Sequence, residues 1–70
     1  MKIVVHVRVD GPPWFKEYRE DENYDRLEAM VCDSGSLRIA DVIHNEFATV
    51  YFTRDLFASG TWSHLEYVHD

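Results

Sequence analysis

The chain has 70 residues, with seven Lys and Arg against thirteen Asp and Glu, for a net charge of −6. That length allows one domain, spanning 1–70. The scattered cations exclude the clustered Lys and Arg that phosphate backbones and anionic membranes require, so neither nucleic acid nor a membrane is expected as a direct partner. A single cysteine, Cys32, rules out an internal disulfide. Small secreted domains usually carry several disulfides, so the expected setting is a reducing one, with stability from packing or self-association. Apolar residues make up 46% of the chain and include two Trp, four Tyr and four Phe, enough to build a dense small core.

In chain order, residues 2–9 alternate Ile3, Val5, Val7 and Val9 against Lys2, Val4, His6 and Arg8, which is the period of a half-buried strand. The charges inside this run leave no signal peptide or membrane span, and a complete cytoplasmic product is expected. Asp10, Gly11, Pro12 and Pro13 end the strand. Residues 14–22 are rich in helix formers, with Pro13 suited to a first helical turn, and predict a short helix over 13–22. A single helix running on to Cys32 would have no coherent apolar stripe. Leu27, Ala29 and Val31 restore strand alternation. Asp33 to Ser36 makes a turn, and residues 37–44 read as a second strand of a hairpin, although Ile39, Val42, Ile43 and Phe47 also fit a helical stripe with Ser36 as its cap. Residues 47–53 are aromatic and β-branched on both faces, as in a central strand. Residues 54–60 read as a connection, and alternation resumes from Thr61 to His69. The predicted fold class is α+β: a small, largely antiparallel sheet of four to five strands with one short helix after the first strand, covering one face.

Three constellations bear on chemistry. Glu17, Glu20, Asp21, Glu22, Asp25 and Glu28 fall within twelve residues. On a helix, Glu17 and Asp21 would be neighbours separated by roughly 6 Å, a pitch suited to a groove built for phosphates. Trp14 and Tyr18 on the same face would add contact area. These eight residues are the candidate partner-binding set; the ordinary alternative is a solvated face that keeps a small protein soluble. Second, His6, His44, His64, His69 and Cys32 lack the close ligand pairs of structural zinc sites. His64 and Glu66 share a strand face, a weak chelating pair, whereas His69, five residues from His64, faces the other side of a strand; a metal-binding alternative would use these three, and no metal or cofactor is expected. Third, Cys32 beside Asp33 lacks the electropositive setting of a nucleophile, and Ser34, Ser36, His44 and Asp41 form no nucleophile elbow or phosphate loop. No catalytic residue is expected.

In size, charge and absence of motifs the chain resembles the small acidic proteins that bacteriophages and mobile elements encode against host defences, among them anti-CRISPR proteins and DNA mimics. The resemblance covers no alignable segment, so no residue roles transfer. It implies a non-catalytic inhibitor that docks on a basic, nucleic-acid-binding surface of a partner protein in the cytoplasm, the host cell's where a phage encodes it. The alternative is a small homodimeric accessory subunit assembled through exposed aromatics and an edge strand.

Overall fold

The computed structural model describes residues 1–69 and contains six strands and, among those residues, no helix. They are β1 (Lys2–Val7), β2 (Trp14–Arg19), β3 (Arg26–Val31), β4 (Leu37–His44), β5 (Thr49–Phe57) and β6 (Trp62–Val68). Two three-stranded antiparallel sheets result, ordered β2-β1-β6 and β3-β4-β5. The chain crosses from the first sheet to the second through residues 20–25 and returns through residues 58–61.

The α+β expectation is therefore corrected to an all-β fold. The segment expected as a helix over 13–22 is mostly β2, paired with β1 in the register Ile3↔Tyr18, Val5↔Lys16 and Val7↔Trp14. Trp, Phe and Tyr favour the pleated surface, and the period-two split of Trp14, Lys16 and Tyr18 against Phe15, Glu17 and Arg19 was present beside the helical propensity. Pairing decided between them: β2 supplies hydrogen bonds to an edge of β1 that a helix would have left bare. Pro12 and Pro13 fit this outcome too, because proline is tolerated just before an edge strand, and Gly11 at φ 130° makes the turn.

A second sheet, not a helix, covers the first. Ile3, Val5 and Tyr18 pack against Leu27, Leu37 and Ile39, with Met1, Ala29, Phe57, Trp62 and Leu65 at the margin. The central strands are β1 and β4, which hold nearly all the fully buried side chains. Of the segment expected to be central, 47–53, residues 49–53 lie in β5, an edge strand, and Phe47 and Ala48 precede it in a turn. Its apolar residues extend past the region the first sheet covers, leaving Val50, Tyr51 and Phe52 at 40–45% exposure. Residues 54–57, expected as a connection, continue β5. Residues 37–44 are a strand, and the hairpin with β3 forms as anticipated.

Two irregularities shape the surfaces. In β5, Ile39 faces Asp55 and Ala40 faces Thr53, so Arg54 is an extra, bulged residue. Asp55 thereby turns inward and Arg54 reaches across to the other sheet. In β6, His6 faces His64 and Val7 faces Trp62, which makes Ser63 the extra residue. Next to Ser63, the Trp62 indole donates to the Gly35 carbonyl at 3.0 Å. Gly35 has φ +88°, and a Cβ there would lie 2.7 Å from Ser59 Oγ. Only glycine lets this β3–β4 turn close against the β5–β6 loop.

Candidate functional site

The eight candidate residues do not share one face. Tyr18 is buried in the core, and its hydroxyl donates to Asp55 Oδ2 at 2.6 Å. Burial, reinforced by this bond to a carboxylate, pushes the phenol well above its ordinary range. Asp55 also accepts from Lys16 Nζ at 2.7 Å. The Lys16 hydrogen bond, with Tyr18 second, holds the Asp55 carboxyl below the usual value. Trp14, half exposed, stands at the far end of β2 beside Pro12 and Pro13, over an open hollow of about 530 Å³. Glu17 lies on the outer face of the first sheet and binds Lys2 Nζ at 2.9 Å. That hydrogen bond and the ammonium charge lower the Glu17 pKa. Glu28 belongs to the second sheet and pairs with Arg26 at 3.4 Å.

The four remaining residues, Glu20, Asp21, Glu22 and Asp25, stay together in the β2–β3 connection. Glu20 meets the N-terminal ammonium at 3.0 Å. Asp21 shapes the loop, accepting from the Asn23 backbone at 2.9 Å and its side-chain amide at 3.0 Å. Asp25 ties the loop to the end of β4. Its carboxylate accepts from the His44 N–H, and its own N–H donates to the Val42 carbonyl at 2.8 Å. Glu22 is exposed, with no ion pair among the described residues.

This tether brings the loop to the end of the second sheet where β4 turns into β5. There Asn45 Oδ1 accepts from the N–H groups of Phe47 and Ala48, each at 2.9 Å. The resulting turn holds Glu46 and Phe47 outward, with Phe47 88% exposed. Tyr24 tilts against Phe52 at 5.5 Å between ring centroids. The tip thus joins Asp21, Glu22 and Glu46 with Tyr24, Phe47 and Phe52. Sequence reading placed Phe47 in a strand. The turn expected at His44 to Glu46 instead runs on through Phe47, because the Asn45 side chain accepts from the backbone N–H groups that follow it.

The outer face of the first sheet carries a second grouping. Register places His6 opposite His64 and Val4 opposite Glu66, so both histidines and Glu66 project together. His69, past the end of β6, is outside this cluster. Cys32 is a free, exposed thiol in the β3–β4 turn. Comparison with known proteins gives no match: no family model, curated protein or solved structure is significantly similar to the chain.

Proposed function

We propose that this chain is a non-catalytic binding protein that docks its acidic, aromatic tip on a basic surface of a partner protein. The observation that carries this reading is the separation of two classes of carboxylate. Glu17, Glu28, Asp41, Asp55 and Glu66, the acids within strands, each have a basic partner within 3.5 Å. Asp21, Glu22 and Glu46 have none among the described residues, as is also true of Asp10 and Asp33 in other turns, and the loops that carry the first three set Tyr24 against Phe52 and leave Phe47 exposed. Long-range attraction steers a basic partner to such a patch, and exposed rings supply contact area that strengthens after docking. The nucleic-acid-binding surface of a host complex is one basic surface of this kind, and an inhibitor would act by occupying it.

The test is capture of partners on the immobilised protein, followed by reconstitution with the purified partner. Binding is expected to weaken steeply with salt, since screening shortens to about 8 Å near 0.15 M. It is also expected to be lost in the triple variant Glu22→Lys, Glu46→Lys, Phe47→Ala, none of whose side chains holds the fold. A partner that binds this variant as tightly as the parent chain removes the basis for the reading.

A second reading, self-association, draws on another observation. Trp14, Phe15, Val31 and Leu56 are 50–61% exposed, and each lies on an edge strand. Such edges pair with further strands. Sedimentation at high salt separates the two readings: a dimer built on these residues persists, whereas a charge-driven complex dissociates.

A further inference from the structure

We infer that His6, His64 and Glu66 form a binding site for a divalent transition-metal ion, zinc being the representative, on the outer face of the first sheet. The site is independent of the acidic tip and shares no residue with it. Its ligands come from two strands distant in sequence, β1 and β6, aligned by antiparallel register. The two imidazoles stack at 4.0 Å between centroids and 14° between planes. His6 Nε2 lies 3.3 Å from Glu66 Oε2. That separation matches the edge of a tetrahedral coordination shell, about 3.4 Å when ligand bonds are roughly 2.05 Å. One ligand atom from each of the three residues falls within 4.8 Å of the others, so small side-chain rotations bring all three onto one ion.

The surroundings favour a cation there. Ser63, the bulged residue, places Oγ 3.1 Å from His64 Nδ1. A ligating imidazole is characteristically oriented by such a contact on its other nitrogen, and Nε2 stays available. Val4, 6% exposed, forms an apolar floor beside an open hollow of about 270 Å³ bordered by Phe15 and Glu17. The nearby ammonium of Lys2 is already bound to Glu17, and the chain carries net charge −6. Two imidazoles and one carboxylate suit zinc and its late first-row neighbours rather than calcium or magnesium, which prefer all-oxygen shells. Three protein ligands leave a fourth position for water or a donor from a partner.

The test is calorimetric titration of the full chain with zinc chloride, beside the variants His64→Ala, Glu66→Gln and His44→Ala, each checked by far-UV circular dichroism. The expected result is saturation at a single zinc per chain. Affinity should fall at least about tenfold, the scale on which even outer-shell partners of a metal matter, in His64→Ala and in Glu66→Gln, and stay unchanged in His44→Ala. His64 and Glu66 are exposed, so both variants should fold; if one does not, the other decides. Absence of saturable binding, or equal affinity in the folded His64→Ala or Glu66→Gln chain, overturns the proposal. The tip variant Glu22→Lys, Glu46→Lys, Phe47→Ala should bind zinc normally, so failure of either inference leaves the other standing.

Discussion

Carboxylates on the strands and carboxylates in the loops of this protein behave as two populations. On the strands, cross-strand register, the β5 bulge or the two-residue period of a single strand sets a basic group beside each: Lys2 for Glu17, Lys16 for Asp55, Arg54 for Asp41, Arg26 for Glu28 and His6 for Glu66. In the 20–25 loop and the 45–48 turn, Glu20 meets the N-terminal ammonium, and the other carboxylates either serve the backbone or face water. Backbone geometry repeats along a sheet and brings opposite charges together, whereas a loop offers no such lattice. Carboxylates on the strands therefore have a basic neighbour, and those without an ion pair among the described residues fall in loops: Asp21, Glu22, Asp25 and Glu46 at one end of the second sheet, Asp33 at its other end and Asp10 in the β1–β2 turn.

The comparison breaks most sharply at Asp41. This carboxylate is 6% exposed, and its Oδ1 makes no hydrogen bond among the described residues. Arg54 lies 3.5 Å away while donating to the Arg19 carbonyl at 2.6 Å. Removing one partner of a buried pair leaves an uncompensated charge. Arg54→Met should cost on the order of 3 kcal/mol in urea unfolding, with much of the loss recovered when Asp41→Asn is added.

The next effect is at the link between the sheets. Tyr18→Phe removes the hydroxyl that bonds Asp55 and should cost about 1.5–3 kcal/mol, as for a hydrogen bond to a charged group. Its pH signature has a defined sign. Asp55 titrates below its ordinary 3.8, so its stabilisation is full above that pH and is lost as the pH falls through the lowered value. Tyr18 titrates above its ordinary 10.0, so its contribution is full below that pH and declines as the pH rises further. Thermal melts across pH should show both flanks. Asp55→Asn should flatten the acid flank, and Tyr18→Phe the alkaline one.

Smaller still is the exposed pair of Lys2 and Glu17. Glu17→Gln should leave the denaturation midpoint within experimental scatter, as solvated pairs contribute little. Smallest is the loop population: Glu22→Lys with Glu46→Lys should not change stability measurably, even as it reverses charge at the tip. A marked loss of stability in that double variant would show that these carboxylates serve the fold after all, and the two populations would merge into one.

How much of this was legible beforehand follows from how local each signal is. Alternation in 2–9, 25–32 and 61–69 marked three strands, and the turn residues Asp33 to Ser36 marked a hairpin. His64 and Glu66 could be placed on one face because two residues make a full strand period. His6, their third member, could not be added, since nothing in either segment states that β1 lies beside β6. Glu17 and Asp21 were expected as neighbours on a helix; with β2 a strand, one binds Lys2 across a sheet and the other shapes a loop.

From sequence alone, then, came the lack of an internal disulfide, the surplus of acid, the antiparallel character and the alternating faces of most strands. Only the tertiary structure decided that Trp14–Arg19 is a strand, that a second sheet forms the other layer, and which carboxylates keep their charge unmatched. The reason is physical. Period and turn chemistry are properties of neighbouring residues, whereas strand partnership and charge pairing depend on segments up to sixty positions apart, such as His6 and Glu66, whose meeting is settled by burial and hydrogen bonding over the whole chain.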